Sequence, residues 1–148
     1  MSIATLKVSD LMSRQLMTID SKATLRAAAR LMHTHRIHCL LVPSDSADGP
    51  TGVITTKDIV QVLCEADVSV LDRLRVADAV TTPAVSVQHK LAVVDCIRLM
   101  RMTGVRSAPV LDGMTLVGLI SFSDVLRVVA EGATAGSGAG QSEQRPGE

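Results

Sequence analysis

The chain has 148 residues, 47% of them hydrophobic, which suffices for one well-packed domain and leaves no room for a catalytic domain beside it. Lys plus Arg and Asp plus Glu each number 15, so the net charge is zero and no broad basic surface meets a nucleic-acid backbone. One Phe with no Trp or Tyr excludes the aromatic platforms on which single-stranded bases stack.

The opening stretch, Met1 to Arg14, has neither an uninterrupted apolar run nor a small-residue cleavage site after one. No segment approaches the roughly 20 apolar residues of a membrane helix. A cytoplasmic location, away from membranes, is therefore expected. Met17 and Ile19 alternate with polar neighbours, as in a short strand. Leu25, Ala28, Ala29 and Met32 then fall at i, i+3, i+4 and i+7, one apolar helix face, with Arg26, Arg30 and His33 on the other. Ile37 to Val42 reads as a buried strand, Pro43 to Pro50 as a loop, and Gly52-Val53-Ile54 as a third strand running into a helix from Thr56 to Glu65. The link from Glu65 to Arg75 contains neither Gly nor Pro, which predicts an ordered connection.

From Val76 the pattern starts again. Val8, Asp10, Lys22, Arg30, Leu31, Met32 and Val42 recur 68 positions later as Val76, Asp78, Lys90, Arg98, Leu99, Met100 and Val110. After a shorter turn the offset falls to 66, and Gly52, Ile54 and Asp58 meet Gly118, Ile120 and Asp124. Val85 and Val87 repeat the first strand, and Val93, Cys96, Ile97 and Met100 the helix face. Gly104 should end that helix in the left-handed conformation. Val105 to Leu111 repeats the second strand, Asp112-Gly113 marks a tight hairpin, and Val117 to Ile120 leads into a helix from Phe122 to Glu131. Each copy thus reads β-α-β-β-α, at residues 8–66 and 76–131, and a repeat of this size stacks on its twin to bury a core. Residues 132–148, which carry no large apolar side chain, are expected to be disordered. Cys39, Cys64 and Cys96, widely spaced in apolar segments, read as buried thiols of a reducing compartment rather than as redox or zinc pairs.

The chemistry concentrates where strand becomes helix. Thr55-x-x-Asp58 and Ser121-x-x-Asp124 have the spacing of a capping box, in which hydroxyl and carboxylate satisfy the free N–H groups of the first turn. The same motif stands at the same place in both copies, behind a glycine that leaves the backbone open to close approach. A helix N-terminus with a hydroxyl accommodates phosphate, and an ionised carboxylate one turn on accepts hydrogen bonds from sugar hydroxyls. That division of labour suits a nucleoside phosphate.

The repeated Val-x-Asp start, the apolar helix, Gly104-Val-Arg-Ser-Ala-Pro-Val110 and the closing Gly-h-h-[Ser/Thr]-x-x-Asp, where h is apolar, together resemble a tandem pair of CBS domains, a Bateman module, over residues 8–131. The resemblance implies an α+β fold of two pseudo-symmetric repeats packed as one module, commonly dimerised into a disc, which binds adenosine-containing ligands and regulates an attached or partner protein. Carried onto this chain, it implies that Asp124 and Ser121 face Ile37, His38 and the segment near Gln15, and that Asp58 and Thr55 face Val105, Arg106 and the segment near Pro83. Arg106 has the charge and planar donors to meet a phosphate. The first copy departs from the pattern, with Leu41-Val42 in place of Pro109-Val110 and Cys39 in that strand.

No nucleophile, base and orienter assemble from the sequence, so the chain reads as a sensor without enzymatic activity or required cofactor. Its regulatory ligand would be AMP, ADP, ATP or S-adenosylmethionine; the competing reading is a ligand-free dimerisation module whose Asp residues are only caps. His33 and His35 point roughly 200° apart on a helix, so with His38 they do not converge on a metal. Met12, Met17, Met32, Met100 and Met102 read as core filling. Val125, Leu126, Val128 and Val129 exceed what one buried helix face needs, which predicts a homodimer through the last helix.

Overall fold

The computed structural model describes residues 2–46 and 51–137, with side chains as far as Glu131. The expected tail beyond Ser137, and Ala47 to Pro50 of the long loop, lie outside the described residues. The chain forms two compact units, one of Gln15–Val85 and one that joins the chain up to Arg14 to the chain from Ser86 onward.

In the continuous unit, α2 spans Leu25–His35, β1 Cys39–Val42, β2 Gly52–Thr55 and α3 Thr56–Val62. The Thr24 hydroxyl accepts from Ala27 N at 3.1 Å and starts α2. Leu25, Ala28 and Met32 turn inward from this helix onto Leu40, Val42 and Ile54, the core expected from their spacing. Arg36 ends α2 in the left-handed conformation, with φ 54°. β1 runs antiparallel to β2, with Cys39 opposite Thr55 and Val42 opposite Gly52. The strand expected at Met17 and Ile19 is reduced to a parallel bridge between Thr18 and Leu41. After α3 the chain turns through a 3-10 segment, Val68–Asp72. Arg26 pins that segment with paired bonds to Asp72, Nε to Oδ1 at 2.7 Å and Nη2 to Oδ2 at 3.1 Å, and a third to Val68 O at 3.2 Å. The link is thus ordered, and this pairing holds the Asp72 carboxyl below its ordinary pKa.

The discontinuous unit holds α1 (Val8–Leu11), β3 (Val87–Gln88), α4 (Val93–Thr103), β4 (Ser107–Asp112), β5 (Thr115–Ser121) and α5 (Phe122–Ser137). β3 lies parallel to β4, which pairs antiparallel with β5. Gly104 ends α4 with φ 78°, as the sequence implies. The hairpin falls one residue later than expected. Asp112 pairs with Thr115 and the loop is Gly113-Met114, Gly113 at φ 64° supplying the positive φ that a two-residue turn demands at its first position. α5 continues past the end expected at Glu131, whereas α3 stops short of Glu65.

The units do not coincide with the sequence copies. Val8 is fully buried among Val93, Cys96, Val110 and Ile120, and its N–H donates to Leu91 O at 2.8 Å. Val76 is fully buried among Leu25, Leu40 and Ile54, and donates to Ala23 O at 2.8 Å. The opening segment of each copy therefore packs with the body of the other copy. The Val-x-Asp signature is a cap in both: Lys7 N donates to Asp10 Oδ2 at 2.8 Å and Arg75 N to Asp78 Oδ2 at 2.7 Å.

Side chains at three places bear on their sequence reading. Cys64 is exposed because it follows the end of α3. Met102 is 84% exposed, on the outer face of α4. On α5, Val125 and Val128 pack against the core while Phe122, Leu126 and Val129, at i, i+4 and i+7, stand exposed. No helix among the described residues is long and apolar enough to cross a membrane.

Candidate functional site

The two strand-to-helix corners are built alike. At the first, Thr55 N donates to Asp58 Oδ2 at 2.8 Å, the Thr55 hydroxyl donates to the same oxygen at 3.0 Å, and Asp58 N donates back to Thr55 Oγ1 at 3.4 Å. At the second, Ser121 N and the Ser121 hydroxyl donate to Asp124 Oδ2 at 2.9 and 3.1 Å, and Asp124 N donates to Ser121 Oγ at 3.3 Å. Capping is thus real at both. It occupies one carboxylate oxygen and leaves the other, Oδ1, free of the cap. The hydroxyls each give their only proton to the carboxylate, so neither has a donor left for a phosphate while the box is closed.

The glycines before these corners are filled by the chain itself. A Cβ on Gly52 would lie 2.7 Å from Val80 Cγ2 and 3.0 Å from Thr81 O, and one on Gly118 would lie 2.6 Å from Met12 Sδ and 2.9 Å from Ser13 O. Their close approach therefore serves packing of the segments before Pro83 and Gln15 rather than ligand access. Thr81 and Val53 exchange backbone bonds at 3.0 Å, and Ala84 N donates to Thr51 O at 3.1 Å, which brings the Pro83 segment alongside β2. Ser13 N donates to Leu119 O at 2.8 Å and so sets the opening segment along β5. Pro83 and Gln15 are both exposed in the continuous unit.

His38 and Arg106 occupy matching places in their own units. Thr56 N donates to His38 O at 3.0 Å and Phe122 N to Arg106 O at 3.1 Å, so each tethers the strand entrance to the corner. His38 Nδ1 also lies 3.5 Å from Thr56 Oγ1. Both side chains are exposed, while Ile37 and Val105 beside them are half-buried. His33 and His35 stand exposed at the end of α2, and no group of three or more His, Cys, Asp or Glu among the described residues could hold a metal.

Two features escape the capping pattern. Arg127 Nη2 donates to Asp124 Oδ1 at 3.0 Å, whereas the residue three after Asp58 is Gln61. The i,i+3 spacing of Asp124 and Arg127 is visible in the sequence and signals the pair. An open pocket of about 500 Å³ lies along α3, lined by Asp58, Gln61, Glu65 and Asp78 with Val62 and Leu74. It depends on the path of residues 66–79 across α3, which no periodicity announces. Cys39, opposite Thr55, is buried, and burial together with the charge of Asp58 pushes its thiol up to about 11.

Known proteins repeat this organisation. The model of the CBS domain matches residues 8–65 and 76–131. A CBS domain-containing protein of Dictyostelium discoideum is 33% identical over 128 residues, 80% of this chain and 88% of its own length. A hexameric CBS-CP12 protein from bloom-forming cyanobacteria is 32% identical, with a TM-score of 0.76 over 86% of this chain and 75% of that one. The CBS domain pair of protein MJ0100, solved with 5′-methylthioadenosine and S-adenosyl-L-methionine, is 21% identical with a TM-score of 0.73 over 86% of this chain and 98% of its own, a likeness of fold.

Proposed function

Because the chain belongs to the CBS domain family, we propose that its tandem repeats form a regulatory module that binds an adenosine-containing ligand and reports occupancy to a partner protein. The observation that carries this reading is the leftover oxygen. Asp58 caps α3 through Oδ2 alone, and its Oδ1, with no partner among the described residues, remains an acceptor; of the proposed site residues Asp58 alone also borders the open acidic pocket along α3. A ribose diol supplies the donors that such an oxygen lacks. The proposed site residues are Asp58, Thr55, His38, Ile37, Pro83 and Gln15 in the continuous unit, and Asp124, Ser121, Arg106 and Val105 in the other. The output we propose is linkage: a ligand shifts the module by the difference in its affinity for two arrangements.

Titration with AMP, ADP, ATP and S-adenosylmethionine, followed by calorimetry and melting, tests this. At about 100 times the dissociation constant the ligand adds roughly 2.7 kcal/mol of stability. Asp58→Asn keeps an oxygen for the cap and turns the other acceptor into a donor, so affinity falls by about 1.5 to 3 kcal/mol while apo stability changes little. Loss of apo stability with unchanged binding would reduce Asp58 to a cap.

The exposed stripe of Phe122, Leu126 and Val129 favours a second reading, a homodimer formed through α5. Leu126→Glu then halves the mass seen by light scattering. Val128→Glu instead lowers the melting temperature, since Val128 is half-buried against the core.

A further inference from the structure

The two corner carboxylates are unequal acceptors. In both, the cap occupies Oδ2 with two donors. At Asp124 the remaining oxygen already accepts from Arg127 at 3.0 Å, the carboxylate side chain 15% exposed and the guanidinium 49%. Among the described residues the remaining oxygen of Asp58 has no such partner, and the residue in the place of Arg127 is Gln61. Other charges do not restore the balance. Glu65 and Asp78 have counterparts in Glu131 and Asp10, and Lys57, next to Asp58, points along a different face of α3 and makes no ion pair with it.

We propose that Arg127 is a specificity-determining residue: its ion pair with Asp124 competes with a sugar diol for Oδ1, so that of two pseudo-equivalent carboxylates Asp58 is the stronger ribose acceptor. This rests on the adenosine reading above. A diol hydroxyl reaching Asp58 gains a charge-assisted bond and displaces only water. The same hydroxyl reaching Asp124 must displace the guanidinium or share a lone-pair direction with it. A partly exposed pair three residues apart is worth a factor of roughly two to five in affinity, which sets the size of the effect.

The experiment uses adenosine, which has no phosphate to engage Arg127 or Arg106 directly, against 2′,3′-dideoxyadenosine, which lacks the diol. Calorimetry on the full chain should resolve two adenosine constants, the stronger weakened roughly ten- to a hundredfold by Asp58→Asn. Arg127→Gln should tighten the weaker one two- to fivefold toward the stronger, and Gln61→Arg should weaken the stronger by a similar factor. Neither change should alter dideoxyadenosine binding, which separates competition for the carboxylate from a general effect on the helix; the melting temperature of each variant checks folding. Adenosine binding no tighter than dideoxyadenosine in the wild type sinks both this inference and the ribose reading. Diol-dependent binding in which Arg127→Gln and Gln61→Arg leave both constants unchanged sinks this inference alone.

Discussion

The β1–β2 ladder of the continuous unit and the β4–β5 ladder of the other perform the same task with different means. β1 is four apolar residues, all buried, joined to β2 through the long loop that begins at Pro43; β4 is six residues with Pro109 at its centre, joined to β5 by a two-residue turn and thrown out of step by a bulge between Val110 and Leu111. What the ladders share is where another segment presses on them: Gly52 and Gly118, Ile54 and Ile120, Val42 and Val110. What they do not share is chemical: Cys39 against Ser107, Arg36 against Gly104, Gln61 against Arg127. Duplication has kept the contacts that admit no alternative and released the positions that set charge and reactivity.

The sharpest way to break that comparison is at the shared glycines. Gly52→Ala and Gly118→Ala should each lower stability by about 2 to 3 kcal/mol in urea unfolding, as overpacking does. Gly52 should suffer more, because its Cβ meets a stiff Val80 methyl whereas that of Gly118 first meets the flexible end of Met12. Equal losses would mean that the carbonyls of Thr81 and Ser13 decide, and not the side chains.

Cys39 sharpens the comparison at a position that diverged. Its raised thiol pKa of about 11 holds the proton in the folded state to a higher pH than the ordinary value of 9.0 does in the unfolded state. The resulting stability is complete below about pH 9 and is lost as pH climbs toward 11, by on the order of 2 kcal/mol. Urea midpoints across this range should fall for the wild type and fall less for Cys39→Val, which leaves in the other unit only Cys96, its thiol also raised by burial. Alkylation should reach exposed Cys64 well before Cys39.

The smallest effects belong to the helix ends. Gly104→Ala should lose about 1 kcal/mol, because its φ of 78° strains any Cβ. Arg36→Gly, at φ 54°, should gain roughly 0.5 kcal/mol after the added freedom of the unfolded chain is set against the relieved strain. A loss at Arg36 would show that its side chain holds something the backbone does not reveal.

The sequence announced what is periodic and local. The faces Leu25-Ala28-Met32 and Val93-Cys96-Met100, the Gly104 cap and both capping boxes follow from spacing alone, and the structure has them. Non-local matters were hidden. Nothing in the period of Val8 or Val76 says which body buries it, since an apolar residue fits either twin. The surplus on α5 was visible as a number of apolar residues, but the division of Val128 inward and Leu126 outward depends on how the helix is rotated against the core. At the site, Asp58 and Asp124 were legible as carboxylates, but that capping engages a single oxygen of each is a matter of geometry. The acidic pocket along α3 is bordered by Val70 and Leu74, in the stretch that the Arg26 clamp on Asp72 ties to α2, and no spacing in the sequence shows that path.

The exchanged opening segments also order events in time as the chain leaves the ribosome. Residues 15–85 are contiguous and complete a compact unit once Val85 has emerged, but Val8 and Leu11 find their burial only against a body that begins at Ser86. At about 5 to 20 residues per second, the roughly 70 intervening residues impose a wait of several seconds, during which the first apolar segment has no partner in its own chain. Closing so long a loop costs little more in entropy than closing a short one. The hazard is therefore kinetic: on crowded polysomes an unpartnered opening segment can dock on the body from Ser86 onward of a neighbouring chain and lock two molecules together by swapping.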